Sequence, residues 1–122
     1  MNETARVAGL RGEELAREHL VKKGYKIVKT NWRFKRLEVD IIAELDDILV
    51  FVEVKSRASS DFGEPELFVT RKKQGFLIEA AHHYLNEHNA TQEARFDVIS
   101  ILVNGDRTSI THLESAFYPR VK

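Results

Sequence analysis

Hydrophobic and polar residues alternate with a period of two through the middle of this chain, and stretches with a helical period lie on either side. Residues 38–44 (EVDIIAE) and 49–55 (LVFVEVK) are rich in Val and Ile and flank the polar pair Asp46-Asp47. That is the pattern of two antiparallel strands joined by a short turn. With Asp46 and Asp47 in the turn, Leu45 lies opposite Ile48, Asp40 falls across from Glu53, and Glu38 across from Lys55. Val39, Ile41, Ala43, Val50, Val52 and Val54 then share one wholly apolar face, predicted to be the core side. Asp40, Glu53 and Lys55 share the other, which Ile42 and Phe51 continue toward the turn as a cleft floor. A one-residue slip would drive the charged groups into the core, so the register is strongly specified.

The flanking segments complete the order. Residues 10–23 (LRGEELAREHLVKK) carry a helical stripe of Leu15, Ala16, His19 and Leu20, with Gly24 as the stop. Residues 25–34 read as a strand with Tyr25 and Ile27 on one face, and residues 56–69, with Ser59, Ser60, Asp61, Gly63 and Pro65, read as a loop. Thr70 can cap a second helix to about residue 87, with Phe76, Leu77, Ala80, Ala81, Tyr84 and Leu85 toward the core. Residues 95–103 form a strand, Asn104-Gly105 signals a turn, and residues 107–113 return. The predicted order is α-β-β-β-α-β-β, an α/β class.

Composition narrows the function. At 122 residues the chain is expected to be a single domain, residues 1–122 with a core of about 9–113, large enough to fold without disulfides. It has no cysteine, which excludes a disulfide framework and a thiolate zinc site and fits a cytoplasmic location. No apolar run approaches the roughly 20 residues that span a bilayer, and the first residues lack an apolar signal core, so neither membrane insertion nor secretion is expected. A net charge of zero argues against coating nucleic acid by bulk charge. Basic residues nevertheless cluster at Lys22-Lys23-Lys26-Lys29, at Arg33-Lys35-Arg36 and at Arg71-Lys72-Lys73, and Arg57 follows the hairpin.

The opposed carboxylates carry the chemistry. Side chains directly across an antiparallel pair lie roughly 4.5–5.5 Å apart at Cβ, where two carboxylates repel unless a cation sits between them. Asp40 and Glu53 are therefore candidate ligands of a divalent metal; the plain alternative is an exposed sheet face with scattered charges. His19, His82, His83, His88 and His112 read as structural or surface residues, Arg95 and Asp97 as a strand-end ion pair, and Phe117-Tyr118-Pro119 as a tail packed on the domain or on a partner.

An Asp on one strand and Glu-x-Lys on the next, in an αβββαβ order, resembles the restriction-endonuclease-like PD-(D/E)xK superfamily. Val39 stands where that name has Pro. More narrowly, the chain resembles the small bacterial YraN-like (UPF0102) family. The resemblance rests on Gly9-Leu-Arg-Gly-Glu-Glu-Leu-Ala16, Glu38-Val-Asp-Ile-Ile-Ala43, Val50-Phe-Val-Glu-Val-Lys-Ser-Arg57, Phe62-Gly-Glu-Pro65 and Arg95-Phe-Asp-Val98; Leu37 departs from the Gly that many members have. The resemblance implies a restriction-endonuclease-like fold, a mixed central sheet flanked by helices. It implies Mg²⁺ or Mn²⁺ on Asp40 and Glu53, with the Val54 backbone carbonyl as a further ligand and Lys55 as the catalytic lysine. Similarity to archaeal Holliday junction resolvases adds Glu13 as a fourth catalytic residue and further metal ligand, although an acid in a first helical turn is favoured by the macrodipole anyway.

Phosphodiester hydrolysis builds negative charge, which a hard cation and Lys55 would offset. Arg33, Lys35, Arg36, Arg57, Arg71, Lys72 and Lys73 are the candidate nucleic-acid contacts; each cluster alone is more simply a solvated face. Trp32 and Phe34 interleave rings with these cations, which suits a distorted or single-stranded backbone. No base-reading motif is present, so the expectation is a nuclease selective for branched or structured DNA, in preference to RNA, with a resolvase-like place in repair or recombination. The resemblance alone implies a homodimer. The rival is a non-catalytic nucleic-acid-binding or adaptor module on the same fold.

Overall fold

The computed structural model describes residues 3–58 and 64–119, of which 3–10 are described by backbone alone. The predicted order is observed: α1 (Glu3–Lys22), β1 (Lys26–Phe34), β2 (Leu37–Leu45), β3 (Ile48–Ala58), α2 (Arg71–Glu87), β4 (Glu93–Asn104) and β5 (Arg107–Phe117). The strands form one five-stranded sheet in sequence order. Only β3 and β4 pair in parallel, and α2 supplies the long crossover that a parallel pair needs. Ser59, Ser60, Asp61, Phe62 and Gly63 of the expected loop lie outside the described residues.

Both faces of the sheet are covered. Ala16 and Leu20 of α1 pack with Ile41, Ala43, Val50, Val52, Ile99 and Ile101. Leu77, Ala80, Ala81 and Tyr84 of α2 pack on Ile42, Leu49, Phe51, Phe96 and Val98. The expectation of one core face and one cleft floor is therefore corrected. Ile42 and Phe51, at 0 % and 1 % exposure, lie beneath α2. The run at Ile41-Ile42-Ala43 already shows why, since a strand buried on both faces reads as continuous hydrophobics.

Other expectations shift. α1 begins at Glu3, so Glu13 sits inside a 20-residue helix and the macrodipole no longer accounts for it. Asn104 pairs with Arg107, which places Gly105 (φ 62°) and Asp106 in the last turn, one residue later than expected. Phe76 is 45 % exposed and not part of the core. Phe117 packs on Phe96, with ring centroids 5.0 Å apart, while Tyr118 stays exposed. Thr70 caps α2 as expected, its hydroxyl accepting from the Lys73 N–H at 3.1 Å. Among the described residues no helix is long and apolar enough to cross a membrane.

Candidate catalytic site

The β2–β3 register follows the predicted hairpin from Leu45↔Ile48 to Ile41↔Val52, and there the ladder ends. Side-chain alternation also breaks at this point: Ile41 packs with α1, whereas Val39 packs with α2. Asp40 occupies the break. Its Oδ2 accepts the Val54 N–H at 2.8 Å. The N–H and C=O of one strand residue point to the same side, so the Val54 carbonyl faces the edge that carries Asp40.

The carboxyl groups of Asp40 and Glu53 are neighbours, close enough for each to alter the titration of the other. Two ionised carboxylates side by side repel, which favours a proton on one of them until a cation takes its place. Burial raises Asp40 above its ordinary range, partly offset by the bond from Val54. Burial, followed by the charge of Asp40, pushes Glu53 up to about 7.

Cations and a further acid surround the pair. Lys73 Nζ of α2 lies 3.8 Å from Glu53 Oε2. Lys55 also lowers Glu53 by its charge, and its Nζ lies 3.4 Å from Glu66 Oε1. Glu38, which the register offered as the partner of Lys55, instead meets Arg33 at 3.5 Å. Glu13 is raised by burial and then by Asp40. It reaches the site because α1 passes tightly over β3 at Gly12, where a Cβ would fall 2.0 Å from Ser56 Oγ and 2.5 Å from Ser56 Cβ. Thus α1 and α2, on opposite faces of the sheet, both address carboxylates in the gap where β2 and β3 part.

No three His, Cys, Asp or Glu side chains form a ready metal cage among the described residues. Mg²⁺ rarely uses such a cage; it takes one or two carboxylates, keeps several waters and meets substrate phosphate. Asp40, Glu53 and the Val54 carbonyl match that donor set.

The basic residues separate into groups. Arg71, Lys72 and Lys73 occupy the first turn of α2, which has no acid. This placement opposes the helix dipole and concentrates positive potential beside Glu53. Lys35 and Arg36, in the β1–β2 turn, line a cavity with Phe34 and Phe76. Lys72 Nζ stands 5.9 Å over the Phe76 ring, so these two clusters converge. Arg57 reaches the Glu64 carbonyl at 3.5 Å. Lys26 and Lys29 line a different cavity with Glu44 and His88, and Lys23 pairs with Glu114 at 3.6 Å. Trp32 is partly buried and packs edge-on against Tyr84, ring centroids 5.4 Å apart, at the margin of the core.

Sequence reasoning gave little weight to a buried network behind the sheet. Asp97, 1 % exposed, accepts from Arg95 Nε at 2.9 Å and Nη2 at 2.8 Å and from the Ser115 N–H at 3.1 Å. His112 Nε2 lies 2.8 Å from its Oδ2, and His112 Nδ1 lies 3.0 Å from His19 Nε2 of α1. Arg95 also donates to the Tyr25 hydroxyl. Burial alone would raise Asp97, but the bonds from His112, Arg95 and Ser115 outweigh it and hold the carboxyl below its ordinary range. The network ties α1 to Tyr25, just before β1, and to β4 and β5. His19 is six residues beyond Glu13, about 9 Å along the helix, so the same anchor fixes the tilt that delivers Glu13. An interior glycine in a helical pattern was the available signal for the close approach at Gly12; nothing local marked Glu66 as the partner of Lys55.

Comparison with known proteins agrees across nearly this whole structure. The family described as "Uncharacterised protein family UPF0102" matches residues 12–101, from the Gly12 contact into β4. A UPF0102 protein of Flavobacterium johnsoniae is 48 % identical over 114 residues, 90 % of this chain and 93 % of that protein. One from Syntrophomonas wolfei is 48 % identical over 113 residues, 92 % of this chain and 98 % of its own length. Another, from Flavobacterium psychrophilum, is 46 % identical over 107 residues, 88 % of this chain and 90 % of that protein. With the matched region covering the second half of α1, all of α2 and the strands that hold the carboxylate pair, this chain belongs to the UPF0102 family.

Proposed function

We propose that the protein is a metal-dependent nuclease of restriction-endonuclease-like fold that hydrolyses phosphodiester bonds in structured or branched DNA. One observation carries the reading: two partly buried carboxylates, Asp40 and Glu53, lie side by side at the broken end of a strand pair, with the Val54 N–H on Asp40 and Lys73 within 3.8 Å of Glu53. Burying like charges side by side costs stability, and a site that binds a cation gives the arrangement a use. The αβββαβ order with Asp on β2 and Glu-x-Lys on β3 supports the superfamily placement.

Mg²⁺ or Mn²⁺ held by Asp40, Glu53 and the Val54 carbonyl would supply a Lewis acid for the scissile phosphate and acidify water there. Glu53, pushed up to about 7, would have to be ionised to hold the cation, so metal binding there would be coupled to loss of its proton. Lys55, steadied by Glu66, orients the attacking water and offsets charge on the phosphorane. Lys73 releases Glu53 to take a phosphoryl oxygen, and Arg71, Lys72, Lys35, Arg36, Arg33 and Arg57 track the backbone. Glu13, near enough to Asp40 to feel its charge, would join the cation's ligands. Two opposed strands must be cut in a junction, so the active unit for that substrate is a homodimer.

The test is a substrate panel. The pure protein is incubated with Mg²⁺ or Mn²⁺ and duplex, single-stranded, flap and four-way-junction DNA, and with RNA counterparts, beside Asp40→Ala and Lys55→Ala. Cleavage of branched DNA that both substitutions abolish is expected. Cleavage that survives them would belong to a contaminant, and tight binding without cleavage by any form would favour an adaptor.

A further inference from the structure

A cavity of about 590 Å³ lies between the β1–β2 turn and α2. Its walls are aromatic. The Phe34 ring stacks on His83 with centroids 4.3 Å apart and planes 25° from parallel, and Phe76, 45 % exposed, lines the same space. Its rim is cationic: Lys35 Nζ lies 5.5 Å from the Phe34 centroid, Lys72 Nζ lies 5.9 Å from that of Phe76, and Arg36 joins them. Glu79 supplies one carboxylate to the lining.

The cavity adjoins the carboxylate pair. Phe76 follows Lys73 by three residues, so the two are neighbours one turn apart on α2, about 5 Å along the axis. Leu37 of the lining precedes Asp40 by three residues on β2, about 10 Å. A phosphate at Asp40 and Glu53 therefore carries its neighbouring bases to the mouth of the cavity.

We propose that this cavity receives an unpaired nucleobase of the DNA strand held at the Asp40–Glu53 centre, which makes the protein selective for sites where a base is out of the helix. The proposal rests on the nuclease reading for the position of the strand. Every base has a π-face that stacks on aromatic rings irrespective of sequence. The exocyclic amines of adenine, cytosine and guanine can donate to Glu79. The cationic rim faces the phosphates on either side. A symmetric second copy suits the cavity poorly, because it would bring the same cations face to face.

The test uses the full chain in chelator, so that nothing is cleaved. A DNA hairpin carries 2-aminopurine either in a one-base bulge or fully paired, and a distant dye reports affinity by anisotropy. Wild type is expected to bind the bulged hairpin roughly tenfold more tightly than the paired one, with a change in 2-aminopurine emission as the base stacks. Phe76→Ala, at a position that contributes little to the core, should remove most of that preference, and Phe76→Tyr should keep it. A ribonucleotide hairpin distinguishes an unpaired base in DNA from one in RNA; preference for the RNA form would overturn the assignment to DNA. Equal binding of bulged and paired forms, or an unchanged preference in Phe76→Ala, would overturn the proposal. So would light scattering that shows Phe76→Ala converting a dimer to a monomer. A bulge preference without cleavage in any divalent cation would leave the cavity standing and remove the nuclease reading. Cleavage that needs Asp40 but ignores pairing would do the reverse.

Discussion

Replacing Glu53 with Gln should make the protein more stable at high pH and leave it unchanged at low pH. Glu53 titrates near 7 in the fold against an ordinary 4.5, because burial and Asp40 disfavour its charge. A group raised in the folded state lends its full stability below the unfolded value, and that stability is lost as pH rises through the folded value. The window is therefore about 4.5 to 7. At about 1.4 kcal/mol per unit the shift corresponds to on the order of 3 kcal/mol. Water reaching the 15 % of the side chain still exposed brings the expected effect to about 2–3 kcal/mol. Gln is neutral at every pH and its amide can donate to Asp40, so it mimics the protonated acid. Urea unfolding of both proteins in chelator, at pH 4.5 and pH 8.5, gives the difference directly. The variant should match wild type at the lower pH and exceed it by about 2–3 kcal/mol at the higher, with equal slopes. A difference that does not change with pH would refute the raised titration of Glu53.

Two further perturbations address the scaffold. Asp97→Ala leaves Arg95 and His112 buried without their carboxylate and should cost about 3–5 kcal/mol by urea unfolding. Because Asp97 is held below its ordinary 3.8, the stability it lends is present above that value and lost as pH falls below it, so the variant's acid limb should be flatter than wild type's. Gly12→Ala should destabilise by about 1–3 kcal/mol through the clash with Ser56, although Ala outranks Gly in a free helix by roughly 1 kcal/mol. Ser56→Gly in the same chain should restore most of the loss, and a Gly12→Ala protein as stable as wild type would show that α1 does not approach β3 this closely.

The hairpin was readable because the side-chain period of two leaves a strand only one sensible register: Leu45↔Ile48 through Ile41↔Val52 follow from the positions of Asp46 and Asp47. Sequence could not show that the ladder stops one pair short of Asp40. On its other edge β2 keeps its pairing past that point, Thr30↔Ile41 and Trp32↔Val39 of β1, so the break is confined to the side facing β3. Partners from distant segments were equally hidden: Lys73 on Glu53 and Glu66 on Lys55 arise from the packing of α2 and the segment before it. Phe76 continues the apolar stripe of α2, yet it comes to lie beside the β1–β2 turn, where it lines a cavity and stays 45 % exposed. The His19–His112–Asp97 network joins residues up to 93 positions apart, beyond the reach of any local pattern.

Mn²⁺ binding tests most directly whether Asp40 and Glu53 form a divalent-cation site. Thermal melts and calorimetric titration near pH 6.5, in buffers of differing ionisation enthalpy, report binding and the proton it displaces. Wild type should gain roughly 2.7 kcal/mol of stability when Mn²⁺ is present at a hundredfold excess over its Kd. Binding should release about one proton, and Asp40→Ala should show neither effect. A wild-type melt unmoved by Mn²⁺, or an equal shift in Asp40→Ala, would contradict the metal site and the nuclease chemistry built on it.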